Sequence, residues 1–207
     1  MALKGLIVYF DGPDGVGKTT QLKLAAEQLQ AAGHEVFVTR ALGGNPISDS
    51  LSEAMMSAQP RPPETDLYIA LAAQYASLQD IESRRNSGQI VLIDRSPLSI
   101  IAYQVFAGGI DSETGYREAA ELLGKVQPNL ILIYTASPET RLQRREARNQ
   151  QEGHNYFEKM PPAYHEETAK GYLEAASRLG ATIIDSEAAT EVVHETTMQK
   201  ILALLQA

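Results

Sequence analysis

The chain has 207 residues, a length that favours a single domain with room for a small insertion. A hydrophobic fraction of 43% and a charged fraction of 21% place it among ordinary globular proteins. It has no cysteine, which excludes disulfides, thiolate metal centres, iron–sulfur clusters and cysteine nucleophiles, and its net charge of −8 argues against a broad electrostatic grip on nucleic acid.

Taken in chain order, short apolar runs alternate with longer stretches of helical period. The first run, Leu6 to Phe10, is cut off by Asp11 before it could serve as a secretory signal core. A helical stretch follows from Thr19 to Ala31, then a strand run Val36-Phe37-Val38 and a turn at Gly43-Gly44-Asn45-Pro46. Another helix candidate ends at the Pro60 to Pro63 segment, and a long helical run fills Thr65 to Arg85. Strand runs recur at Ile90 to Ile93, Leu130 to Tyr134 and Thr182 to Ile184, separated by helical segments such as Ser137 to Asn149 and Glu166 to Arg178. The strand runs are almost continuously apolar, the pattern of strands covered on both faces. The alternation predicts an α/β fold in three layers, a parallel sheet flanked by helices. The polar stretch from Asn149 to Pro162, with Gly153 and Pro161-Pro162, reads as a mobile loop, and residues 141–162 as a short lid within one domain spanning 1–207. No run reaches the roughly 20 apolar residues of a bilayer span. A cytoplasmic protein without membrane or nucleic-acid partners is expected.

The strongest local signal is Gly12-Pro13-Asp14-Gly15-Val16-Gly17-Lys18-Thr19, followed by Thr20. It meets the phosphate-loop pattern G-x-x-x-x-G-K-[ST] at every defined position, between a strand candidate and an amphipathic helix. Glycines let backbone N–H groups converge on phosphate oxygens, and the next helix directs its partially positive N-terminus at the same charge. Lys18 would add a point charge on the β- and γ-phosphates of ATP, and the Thr19 hydroxyl would ligate Mg²⁺. A Gly-rich turn with an incidental lysine is the competing explanation.

Asp94-Arg95 closes the third strand run, at the carboxyl edge where ligands bind in open α/β sheets. Asp94 can hold the metal through water, and Arg95 can bridge phosphates bidentately; a plain ion pair at a strand end is the alternative. Arg141, Arg144 and Arg148 share one helix face, with Arg145 beside them. A solvated face would explain them, but a polar loop follows. Phosphoryl transfer needs cations on the moving group and exclusion of water, which an arginine-bearing flap provides. Arg144 and Arg148 are thus catalytic candidates with Lys18 and Arg95. His34, His154, His165 and His194 lack metal-ligand spacing and read as surface or structural positions.

Longer segments then align with a known pattern. Phe10 to Gln21 resembles F-[ED]-G-x-[DE]-G-x-G-K-T-T-Q. Asp94 to Gln104 resembles D-R-[YSH]-x-x-S-x-x-A-Y-Q. Thr39-Arg40 with Gly43-Gly44-Asn45-Pro46 is similar to T-R-E-P-G-G-T-P, and Lys170-Gly171-Tyr172-Leu173 to R-x-G-Y-L. In this order they resemble the thymidylate kinase family. The resemblance implies five parallel strands in the order 2-3-1-4-5, a homodimer, and transfer of the ATP γ-phosphate to a deoxynucleoside monophosphate, thymidylate first. It places Asp14 at the sugar 3′-hydroxyl, Arg95 between donor and acceptor phosphates, and Arg40 near the acceptor phosphate. Ser99, Tyr103 and Gln104 would line the acceptor pocket. With glycine at position 15, it assigns the catalytic arginine to the lid.

The departures fall on the acceptor side. Where the family stacks a phenylalanine on thymine and bonds the base with an arginine four residues later, the matching stretch is Ala70 to Tyr75. Leu71 takes the aromatic position, and Tyr75 the arginine position, or Gln74 if the alignment slips. Ala41-Leu42 stands where Glu-Pro is usual, and the lid's D-R-x-E is faint at Asn155-Tyr156-Phe157-Glu158. Losing a charged hydrogen bond to the base costs about 1.5–3 kcal/mol, and losing the stack about 0.5–1.5 kcal/mol. Two further readings therefore stay open. One is a kinase for another nucleoside or monophosphate, with Asp11 as base if the acceptor is a hydroxyl. The other is a nucleotide-binding regulator without transfer.

Overall fold

In the computed structural model, residues 5–57, 59, 61–152 and 156–206 are described. The strands are β1 (Ile7–Asp11), β2 (Val36–Arg40), β3 (Ile90–Asp94), β4 (Leu130–Thr135) and β5 (Thr182–Asp185). All pair in parallel, in the order β2-β3-β1-β4-β5. The helices are α1 (Lys18–Ala31), α2 (Pro46–Met56), α3 (Pro63–Asn86), α4 (Leu98–Ile100), α5 (Ser112–Val126), α6 (Pro138–Glu152), α7 (Pro162–Leu179) and α8 (Thr190–Leu205). Local chemistry sets several of the boundaries. Asn45 caps α2 by accepting from the Ser48 N–H at 3.0 Å, with Pro46 at the first helical position, and Asp111 caps α5 through the Thr114 N–H.

Alternation along each strand decides which helical layer a side chain enters. Ile7, Tyr9, Val91, Ile93, Ile131 and Ile133 face the core shared with α2, α3, α4, α5 and α7. Val8, Phe10, Ile90, Leu92, Leu132 and Tyr134 face the core shared with α1 and α8. The same alternation continued to the carboxyl ends sends Asp11 toward α4 and α7, and Asp94 toward α1. In register, Phe10 lies between Asp94 and Leu132.

Two expectations need correction. The strands are not all covered on both faces: Val38 on β2 and Ile183 on β5 are 45% and 49% exposed, because both strands lie at sheet edges. The Asn149 to Pro162 stretch is not one loop, since α6 runs on through Glu152 and Phe157–Lys159 forms a 3₁₀ turn with Phe157 buried. Gly153, His154 and Asn155 lie outside the described residues. No helix among the described residues is long and apolar enough to cross a membrane.

After α4 the chain widens into a π-helical stretch, Ile101–Ala107, and α7 packs closely on it. Gly171 makes that approach possible: a Cβ there would stand 2.7 Å from Ala102 Cα and 3.0 Å from Phe106 Cβ. Overpacking of this kind costs about 1–3 kcal/mol, against the 0.8–1.0 or so kcal/mol that alanine gains over glycine in a helix. Gly171→Ala is therefore expected to lower the melting temperature by up to roughly 8 °C at this chain length. A calorimetric scan showing a raised midpoint would contradict this packing account.

Candidate active site

The site is built around the carboxyl ends of β1 and β3. Asp11 is fully buried and accepts from four segments of chain. Oδ1 takes the Gly12 N–H at 2.8 Å and the Tyr172 hydroxyl at 2.7 Å; Oδ2 takes the Ser96 N–H and hydroxyl, each at 2.8 Å. The Ser99 hydroxyl reaches both oxygens and lies 2.9 Å from the Tyr172 oxygen. Asp11 therefore joins the phosphate loop, the turn after β3, α4 and α7. It is not a base awaiting a substrate hydroxyl, because its oxygens are already taken by internal donors. That removes the main support for a hydroxyl acceptor.

After β1 the chain turns at Gly12, whose φ of +135° and whose would-be Cβ, 2.4 Å from the Tyr134 carbonyl oxygen, admit no side chain. Pro13 and Val16 are buried, and the loop ends at Gly17, where α1 begins with Lys18. Gly15 to Thr20, Lys23, Arg144, Arg148 and Ser186 line a polar cleft of about 1210 Å³. Arg144 donates to the Ser186 carbonyl oxygen at 2.9 Å. Arg145 meets His165 Nε2 at 3.0 Å, and Arg141, buried, donates to the His165 carbonyl oxygen. These bonds hold α6 against α7 and the segment after β5. Arg144 and Arg148 face the cleft, whereas Arg141 and Arg145 anchor the helix.

A second cleft of about 500 Å³ opens on the other side of the loop. Asp14, Gln74, Arg95, Ser99, Tyr103 and Gln104 line it, with Ala41, Leu42, Met55, Met56, Ala70, Ile100 and Phe157 forming an apolar wall. Consecutive residues of one loop thus face different clefts, Asp14 the apolar one and Gly15 the polar one.

Arg95 and Lys18 converge on Asp14 at this seam. Arg95 Nη2 lies 2.8 Å and Lys18 Nζ 3.5 Å from Asp14 Oδ1, and the Tyr103 hydroxyl donates to Oδ2 at 3.3 Å. Arg95 also donates to the Tyr172 hydroxyl at 3.1 Å and stacks over the Tyr103 ring at 5.0 Å. Its backbone has φ +68°, in the left-handed region, while its N–H donates to the Phe10 carbonyl oxygen. Non-glycine residues held there signal a structural demand. Here the demand is to bring a guanidinium from the end of β3 over the loop.

Among the described residues no group of three or more His, Asp or Glu could cage a metal. Mg²⁺ does not need such a cage; it takes one or two protein oxygens and completes its shell with water and phosphate. The Thr19 hydroxyl donates to Asp94 Oδ2 at 3.1 Å, and Asp94 Oδ1 is buried without a partner among the described residues. An unused carboxylate oxygen beside a phosphate-loop hydroxyl fits that ion.

Three expected substrate residues stand elsewhere. Leu71 is buried in the core and Tyr75 donates to Glu121 at 2.9 Å; neither lines the apolar cleft. From α3 it is Ala70 and Gln74, four residues apart and so on one face, that do. Gln74, the alternative to Tyr75 at the sequence level, is the one of the two that lines this cleft. Arg40 folds outward onto Asp49, 2.7 Å away, with its side chain 59% exposed. Sequence reasoning also missed Met55, Met56 and Phe157 as lining residues, and the role of Tyr172. Met55 and Met56 end α2, and nothing local marks such positions as part of a site.

The model of the thymidylate kinase family matches residues 10–197. The chain belongs to this family. It is similar to the thymidylate kinase of Bacillus licheniformis, with 32% identity over 92% of each chain, and to that of Caulobacter vibrioides, with 34% identity over 92% of each. The enzyme of Nitratidesulfovibrio vulgaris is 32% identical over 98% of both. The parallel sheet in the order β2-β3-β1-β4-β5, flanked by helices, is consistent with the family's phosphate-loop kinase fold.

Two outcomes are expected from this geometry. Asp11→Asn replaces an acceptor oxygen with an NH₂ group that faces internal donors. It should cost about 1–3 kcal/mol in denaturant unfolding; no loss would show that the network adds nothing to stability. The second concerns Asp14. Burial opposes its charge, but Arg95, Lys18, Arg148 and the Tyr103 hydroxyl outweigh burial and hold its carboxyl well below the usual carboxylate range. Its folded-state pKa is thus depressed, so the stability it adds is present above the unfolded value near 3.9 and is lost as pH falls below that toward the folded value. Unfolding free energy should fall steeply below about pH 4, and Asp14→Asn should flatten that slope; an unaltered slope would assign the acid sensitivity to other groups.

Proposed function

We propose that the protein transfers the γ-phosphoryl group of ATP to the phosphate of thymidylate, producing ADP and dTDP. One observation carries this reading: the polar and the apolar cleft meet at the phosphate loop, with Lys18, Asp14 and Arg95 at the junction. Such a junction suits transfer between two bound molecules better than hydrolysis of one.

The triphosphate lies in the polar cleft against the amides from Gly15 to Thr20 and the N-terminus of α1. The acceptor enters the apolar cleft, its sugar toward Asp14 and its phosphate toward Arg95. An acceptor phosphate oxygen attacks the γ-phosphorus, the bond to the β,γ-bridging oxygen breaks, and ADP carries off that electron pair. No general base is required, since the nucleophile is already an anion, in keeping with Asp11's full set of internal bonds. Lys18 and Arg95, with Arg144 and Arg148 from α6, neutralise charge on the equatorial oxygens where it spreads in the transition state. Arg40 sits at the exposed rim and joins only if its bond to Asp49 exchanges for the acceptor. Thr19 and Asp94 would hold Mg²⁺, which would supply further charge neutralisation on the phosphates. Of the expected lid over residues 141–162, the described part, 141–152 and 156–162, excludes water from the junction.

An ADP-release assay with ATP, magnesium and thymidylate tests the reading. Turnover is expected, and Lys18→Ala or Arg95→Ala should each lower kcat by about 10²–10³-fold. Folded protein that turns over no nucleoside monophosphate, or a Lys18→Ala variant with full activity, would overturn it.

A further inference from the structure

The apolar cleft contains two polar side chains with unused bonding capacity. Gln74 and Gln104 are each more than nine-tenths buried and line the cleft, and neither carboxamide has a hydrogen-bond partner among the described residues. Neither carboxamide is among the fully enclosed side-chain atoms without a partner, so each remains open to what enters the cleft. For Gln74 the interior offers little. The hollow behind it is lined by apolar side chains, among them Ile93, Leu122 and Val126, with Tyr9 and Ser77 as its polar members. Its neighbour Ser77 is engaged with Asn45 and the Ala73 carbonyl oxygen. Gln74 thus presents a donor and an acceptor to whatever occupies the cleft. The cations that line the cleft or stand at its rim are committed elsewhere: Arg95 is tied to Asp14 and Tyr172, and Arg40 to Asp49.

We propose that Gln74 reads the pairing edge of the acceptor's pyrimidine and, because a carboxamide can present its two groups in either order, admits 4-amino as well as 4-oxo pyrimidines, so that the protein phosphorylates deoxycytidylate beside thymidylate. The inference rests on the reading of the apolar cleft as the acceptor site. Thymine offers a ring N–H beside a carbonyl oxygen, which match the Gln74 Oε1 acceptor and Nε2 donor. Cytosine offers a ring nitrogen acceptor beside an amino donor. A half-turn of the terminal torsion exchanges Oε1 and Nε2 and restores both bonds. Gln104 has the same freedom, so neither carboxamide imposes a fixed polarity on the base. Ala70, one turn before Gln74, leaves the base room to reach the amide.

The test is steady-state phosphorylation by the intact protein of thymidylate and deoxycytidylate, with saturating ATP and magnesium. The wild-type protein should use deoxycytidylate with kcat/KM within about 100-fold of thymidylate, whereas sites with fixed hydrogen-bond polarity discriminate by about 10⁴–10⁵. Gln74→Leu should lower kcat/KM about tenfold or more for both nucleotides, chiefly through KM. Turnover of thymidylate with discrimination beyond 100-fold or so, or a Gln74→Leu variant with unchanged kcat/KM, overturns the inference while the proposed function stands. Failure with both nucleotides overturns the proposed function and the inference with it. Should the variant fold poorly, calorimetric titration of the wild-type protein decides: deoxycytidylate binding within about 100-fold of thymidylate supports the inference, and weaker binding rejects it.

Discussion

A single buried carboxylate organises the molecule. Asp11 stands at the end of the central strand and is bonded to the first amide of the phosphate loop, to Ser96 after β3, to Ser99 on α4 and to Tyr172 on α7. Burying a carboxylate is costly unless its oxygens are matched by donors, and here four segments supply them. The arrangement works in both directions. The segments are held in place by the carboxylate they satisfy, and the loop, the Arg95 turn and α7 are thereby fixed relative to one another. Parallel pairing makes this possible, since it puts the ends of β1 and β3 side by side.

Above that anchor sits a second carboxylate with a different task. Asp14 gathers the positive charges of Lys18 and Arg95 at the line where the two clefts meet. Tyr103 and Tyr172 hold Arg95 from the other side, one through its ring and one through its hydroxyl. The result is electrostatic preorganisation: cations positioned by packing need not be reoriented when charge develops on a moving group. Helix α6 is held by Arg144 on the Ser186 carbonyl oxygen and by Arg145 on His165.

What was legible in the sequence was whatever has a local cause. The strand runs, the phosphate loop and the helix following it rest on period and spacing, and their limits agree with the structure to within a residue or two. What depends on rotation or on distant partners was not. The face that α3 turns to the cleft is set by packing on the sheet, and a one-residue shift turns a helix by about 100°. That is why Ala70 and Gln74 line the cleft while Leu71 and Tyr75 point elsewhere. Tyr172 lies 161 positions from Asp11, so no local pattern could join them. The widening of the helix at Ile101–Ala107 has no sequence signature, yet it carries Tyr103 and Gln104 into the cleft.

The left-handed backbone at Arg95 has a consequence for how this protein can be improved or can drift. Conformations of that kind cost on the order of 1–3 kcal/mol for a residue with a Cβ, and glycine would occupy the position without that cost. Glycine would also delete the guanidinium that neutralises the largely buried Asp14 and bonds the Tyr172 hydroxyl, leaving a carboxylate short of its partner. The strained backbone of this arginine is thus offset by its own side chain, so a mutational path toward greater endurance has no downhill step here.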